Sequence, residues 1–274
     1  MAFPRLLAQS PVSNNFRSVV MKRNSLTTAV LAGLTGVAGM AGVANAVNVN
    51  PDGLGQVLLF PYYTARGGND TLISIVNTTE RGKAVKIRFI EALNSREVLD
   101  FNIYMSPYDV WTGAVSAAGE GGKIATADTT CTVPPLPAGG VDFLTFELDD
   151  GGPAGAERTA SGYIEVIEMG TMLPVPTADP GLTGPVIPWS TKHVNGVPRD
   201  CSIPVAAWTE GSGLPWIDGD STFGFDTEIG ASGGLFGSAS IVNPASGTMF
   251  SYNATAIDGF WAAGSTNHTR PDSL

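Results

Sequence analysis

Charge is scarce in this chain of 274 residues. Asp, Glu, Lys and Arg make up 15% of it, against about a quarter in an ordinary soluble domain. Together with 43% hydrophobic residues, this excludes a disordered chain held open by charge and a long coiled coil. Histidine is confined to His193 and His268, and cysteine to Cys131 and Cys201. Two histidines are too few for a His-based metal site, and neither cysteine has the CxxC neighbour of a zinc site. No amphipathic segment runs beyond about two helical turns, whereas an α/β fold needs several such helices. Basic residues are outnumbered, for a net charge of −10, so a nucleic-acid-binding surface is not expected. What remains is a turn-rich chain, since 34 glycines and 19 prolines make up about a fifth of it. Glycine keeps no period of three, which excludes collagen.

The one long uncharged run lies near the start. Met21-Lys22-Arg23 is a basic opening, residues 26–43 are uncharged, and Ala44-Asn45-Ala46 precedes Val47. This is the layout of a secretory signal peptide over 21–46, cut between Ala46 and Val47. The run is short for a membrane span and is diluted by Gly and Thr. Residues 1–20 fit no part of this layout. They read as an unusual or mis-assigned extension, with Met21 the natural start. Residues 1–46 hold four basic residues and no acid, which leaves 47–274 with 11 basic against 25 acidic residues and a net charge of −14. No later segment is long and apolar enough to span a membrane. In an oxidising compartment Cys131 and Cys201 are expected to pair. Closing a loop of that size stabilises by roughly 4 kcal/mol in the chain-entropy model.

Residues 47–274 read as one elaborated domain of short strands. Residues 55–63 (GQVLLFPYY), 71–77 (TLISIVN), 84–91 (AVKIRFIE) and 97–105 (EVLDFNIYM) are β-rich, and most of them alternate. Val85, Ile87 and Phe89 fall on one face of the third, and Lys86, Arg88 and Ile90 on the other. Further strands are expected at 122–126, 141–147 (VDFLTFE), 162–168 (GYIEVIE), 235–243 and 248–256. Turn residues separate them, a short helix is expected after Pro204, and the five prolines of 172–188 mark an extended stretch. The expected fold is all-β, an antiparallel β-sandwich with a long Pro/Gly-rich loop insertion.

The segments GQVLLFPYYTARGGNDTLISIVNTT, KAVKIRFIEALNSREVLDFNIYMSPYDVW, GYIEVIEMG, KHVNGVPRDCS and GGLFGSASIVNPASGTMFSYNATAIDGF resemble landmarks of an uncharacterised group of exported proteobacterial proteins. The resemblance covers nearly all of 47–274 and implies export, with no chemistry attached. Members of the group continue beyond this length, so the expectation is a fragment or a truncated frame. At the level of fold alone, the strand rhythm is similar to immunoglobulin-like sandwiches of bacterial surfaces.

Several patterns could carry chemistry. Gly230-Ala231-Ser232-Gly233-Gly234 matches the hydrolase elbow, with Asp258 and His268 following in hydrolase order. The elbow needs a strand before it and a helix after it, and the helix is not expected here. Asp218, Asp220 and Asp226 crowd one loop as calcium ligands would, although the spacing fails the EF-hand pattern. Asp149-Asp150 is a second acidic turn. Glu165 and Glu168 could pair for glycoside cleavage, but residues three apart on a strand face opposite sides. Tyr62, Tyr63, Tyr108 and Trp111, and separately Trp189, Trp208 and Trp216, could stack on sugars or pack inside. Asn69-Asp70-Thr71 and Asn77-Thr78-Thr79 match the glycosylation acceptor, which bacterial export leaves unused.

Three functions compete on this reading. The first is an exported, non-enzymatic structural or adhesive surface protein, meeting a surface protein or a glycan and needing no cofactor. The second is a carbohydrate- or calcium-dependent binding module. The third is a secreted hydrolase at Ser232, with no catalytic residue assigned under the first two.

Overall fold

The structure, a computed structural model, describes residues 46–172, 187–209, 228–262, 264–265 and 268–271. The expected signal segment up to residue 45, the loop with Asp218, Asp220 and Asp226, Trp216, and most of the proline-rich stretch lie outside the described residues.

Alternating apolar and polar residues build sixteen strands here. In chain order they begin with β1 (Asn48–Val49), β2 (Val57–Thr64), β3 (Asp70–Asn77), β4 (Lys83–Glu91) and β5 (Glu97–Met105). Next come β6 (Val110–Ala118), β7 (Gly121–Ala125), β8 (Cys131–Val133), β9 (Val141–Asp142) and β10 (Ser161–Met172). The last are β11 (His193–Val194), β12 (Val197–Pro198), β13 (Glu228–Ile229), β14 (Leu235–Asn243), β15 (Thr248–Asn253) and β16 (Thr255–Asp258). Two short helices, α1 (Ile187–Thr191) and α2 (Ser202–Ala207), lie beside the hairpin of β11 and β12 in sequence.

The strands form two antiparallel sheets packed as a sandwich. The eight-stranded sheet has the order β1-β16-β2-β10-β4-β5-β8, with β13 also paired to β10. The six-stranded sheet runs β15-β14-β3-β6-β7-β9. Both inner faces supply the main core. Leu58, Phe60, Val85, Ile87, Phe89, Phe101, Ile103, Ile164 and Val166 come from the first sheet, and Ile73, Ile75, Trp111, Val115, Ile124 and Leu235 from the second. A second apolar cluster lies on the outer face of the eight-stranded sheet. There Ala84, Tyr104, Val133, Met169 and Met172 meet Ile187 of α1 and Ala207 of α2. The Cys131–Cys201 disulfide ties the edge strand β8 to the start of α2 across 70 residues of sequence.

One expected strand is cut short, and one strand was not expected. The 141–147 segment pairs with β7 only through Val141 and Asp142, and Phe146–Leu148 is a 3-10 turn. The segment crosses between the sheets instead of following one. Phe143 N–H bonds Gly122 of β7, while Leu144 N–H bonds Val98 of β5. Phe143 then packs against Tyr63 and Phe89, with ring centroids 5.7 and 5.0 Å away. Conversely, β6 is a central strand that its small residues disguise. Gly113 is needed there because a Cβ would stand 2.5 Å from the Trp111 ring.

Removing the disulfide by Cys131→Ala with Cys201→Ala is expected to cost about 4 kcal/mol. Urea unfolding of wild type and variant checks this, with the six-stranded sheet unaffected at low denaturant.

Candidate functional site

The chemistry-bearing residues gather at one end of the sandwich interior. Lys83 starts β4 with the parity of Val85, Ile87 and Phe89, so it points inward, and it is fully buried. Glu168 of β10 pairs opposite Val85, shares that inward parity with Ile164 and Val166, and is fully buried as well. A register shift between Glu168 and Gly170 adds one residue to β10, the action of a β-bulge. It returns Thr171 to the side Glu168 occupies, and Thr171 Oγ1 donates to Glu168 Oε1 at 2.9 Å.

Lys83 Nζ lies 2.6 Å from Glu168 Oε1. It also donates to Thr171 Oγ1 at 3.1 Å and to Ser232 Oγ at 2.6 Å. Thr171 and Ser232 hydroxyls are 2.9 Å apart. The 230–234 loop closes over the carboxylate from the other side. Ser232 N–H donates to Oε1 at 3.0 Å and Gly233 N–H to Oε2 at 2.7 Å. Positive φ at Gly233 (77°) and Gly234 (83°) turns the chain back into β14. A Cβ on Gly234 would also meet Thr79 at 2.4 Å. Gln56 clamps the loop by donating to the Ala231 carbonyl and accepting from Trp261 N–H, both at 2.9 Å. Burial is the main influence on Lys83 and lowers its pKa, against the pull of the Glu168 charge and hydrogen bond.

The glycine pattern around Ser232 therefore has a structural cause, and the residues of the hydrolase order are not assembled. His268 Nε2 is 2.9 Å from the Tyr104 hydroxyl, and its ring meets Trp208 edge-on at 5.2 Å, within the outer cluster. Ser232 bonds Lys83, Thr171 and Glu168 instead. The two N–H groups that would cradle a substrate oxyanion point at Glu168. Sequence reasoning passed over Lys83 and Thr171. The signal was available: Lys83 and Glu168 are opposite charges on the core parity of two otherwise apolar strands.

Glu165 and Glu168 do face opposite sides. Glu165 pairs outward with Arg88 at 2.6 Å, and Lys86 pairs outward with Asp100. His193 Nδ1 is 2.8 Å from Ser106 Oγ. Of the aromatics, Tyr63 and Trp111 are core residues, while Tyr62, Tyr108 and Trp189 are exposed. Trp208 donates to Tyr104 at 2.9 Å. Among the described residues no group of three or more His, Cys, Asp or Glu is placed to hold a metal. Asp150 is engaged by Arg158, which reaches it at 2.6 Å and Glu91 at 2.9 Å, at the wall of a cleft of about 490 Å³.

The outer face of the six-stranded sheet is different. A shallow trough of about 400 Å³ is lined by Leu72, Ser74, Thr112, Ala114, Ala125, Ser238 and Ser240, with no charged residue among its lining. Leu72 is 47% exposed there.

Burial would raise the Glu91 carboxyl, but Arg158 and the N–H groups of Arg96, Leu93 and Asn94 outweigh it and hold the pKa at about 2. A lowered acid stabilises above its unfolded value and loses that contribution as pH falls through the folded one. The loss therefore falls between the ordinary 4.5 and about 2. Thermal midpoints across this window are expected to fall less steeply in Glu91→Gln than in wild type.

No protein-family model matches this chain, and no curated protein or solved structure does either.

Proposed function

We propose that this protein is an exported, non-enzymatic structural surface component, and that it associates with a second copy of itself through the outer face of the six-stranded sheet. The carrying observation is the uncharged trough of β3, β6, β7 and β14. The solvent face of an antiparallel sheet ordinarily alternates to polar and charged residues. Residues 47–274, with 11 basic against 25 acidic residues and a net charge of −14, repel their own copies, so two of them meet most readily where charge is missing. Ser and Thr hydroxyls both donate and accept. A face made of them is complementary to itself, as a two-fold interface requires. The edge strand β15 extends this face with Met249, exposed at 70%, and with a Ser240–Ser251 hydroxyl pair at 2.7 Å.

Other features support the structural part of the reading. The titratable residues inside the fold are engaged with one another, as in the pairs Lys83–Glu168 and Arg158–Glu91. Export fits the disulfide and the signal layout ahead of Val47. Among the described residues no helix is long and apolar enough to cross a membrane. The immunoglobulin-like character, and membership of the group of exported proteobacterial proteins, belong to the same proposal.

Sedimentation velocity across micromolar concentrations tests it. Wild type is expected as a dimer that Leu72→Glu or Ser240→Glu converts to a monomer. Both positions are on the surface, so the thermal midpoint should hold. A wild type that stays monomeric, or a dimer indifferent to both substitutions, contradicts the reading.

A further inference from the structure

We propose that Lys83 and Glu168 condense into an intramolecular isopeptide bond that joins β4 to β10. The inference stands on the buried cluster and does not depend on the self-association proposed above.

Four features converge on this step. The amine and the carboxylate are in contact, with Lys83 Nζ 2.6 Å from Glu168 Oε1, inside a sandwich that shields both side chains fully from water. Groups held in this way react as though at very high concentration. Two backbone donors point at the reacting carboxyl, Gly233 N–H at Oε2 and Ser232 N–H at Oε1. The Gly233 donor is aimed at the oxygen on which a tetrahedral oxyanion gathers, and the Ser232 donor holds the other oxygen in place. A hydroxyl bridges the two partners, because Thr171 Oγ1 is 3.1 Å from Nζ and 2.9 Å from Oε1. Burial also works against the charged amine, as the lowered pKa of Lys83 records. A hydrolase at Ser232 would need the same donors free for a substrate, and here Glu168 occupies them. The acyl group this site is built around is its own.

The step balances. Lys83 begins as an ammonium and Glu168 as a carboxylate. One proton passes from Nζ to Oε1, directly or through the Thr171 hydroxyl, and leaves a neutral amine beside a neutral acid. The Nζ lone pair attacks Cδ, so an N–C bond forms and the negative charge gathers on Oε2 against Gly233 N–H. A second proton moves from Nζ through Thr171 to Oε1. The C–Oε1 bond then breaks, and Oε1 leaves with both protons as water, with Ser232 at the exposed side of the cluster. The product is an amide and one water, with no oxidant or co-reactant.

Peptide mass mapping of the full chain tests this. Protein that carries the Cys131–Cys201 bond is denatured and digested with trypsin. Acylated Lys83 resists cleavage, so residues 82–86 are expected joined to residues 159–192, at the summed mass less one water. Lys83→Arg and Glu168→Ala should each lose the joined peptide. Thr171→Val keeps both partners, and refolding it should yield the joined peptide more slowly than wild type. Separate peptides 82–83 and 159–192 from disulfide-bonded wild type would overturn the proposal. An unchanged rate in Thr171→Val would overturn the relay.

Discussion

A carboxylate inside a β-sandwich must find partners for both its oxygens, and Glu168 finds them on three separate pieces of chain. Lys83 comes from the neighbouring strand β4, Thr171 from beyond the bulge in β10, and the N–H groups of Ser232 and Gly233 from the loop that leads into β14. An isolated charge there would be costly. Met only in part, the same group would destabilise its surroundings. Satisfied as it is, it seats the 230–234 loop, and through that loop it sets where β14 enters the six-stranded sheet beside β3. The polar cluster thus helps bring the two sheets into register at the end where the apolar core runs out.

The same economy runs through the rest of the molecule. The outer face of the eight-stranded sheet is covered by α1, α2 and residues 268–271, pinned by one disulfide and by Asn102 donating to the Thr269 carbonyl at 2.9 Å. Arg158 joins the turn after β4 to the 149–158 loop through Glu91 and Asp150. These groups act on the protein itself. The trough on the outer face of the six-stranded sheet, with no charged residue in its lining, is the surface that the proposed self-association uses.

Much of the sandwich was legible in the sequence because alternation is a local signal. Residues 235–243 become β14, and Val85, Ile87 and Phe89 point inward as their parity requires. What was not legible depends on contacts distant in sequence. Residues 141–147 alternate like a strand, yet Phe143 and Leu144 divide their hydrogen bonds between two sheets. β6 carries few β-branched residues, and it is a strand because Trp111 and Val115 fill the core between neighbours. The glycines around Ser232 matched a catalytic pattern by spacing. Their cause lies in Glu168, more than sixty residues earlier. Beginning the third strand at Ala84 hid the one inward lysine.

The central claim is that the Lys83–Glu168 pair, with the loop it seats, holds the end of the sandwich. A double-mutant cycle in urea unfolding, using Lys83→Met, Glu168→Leu and the two combined, tests it most directly. The account predicts that each single substitution costs about 3–5 kcal/mol, as breaking a buried pair does, and that the combined variant loses clearly less than their sum. Single costs below about 1 kcal/mol, or costs that simply add, would contradict it.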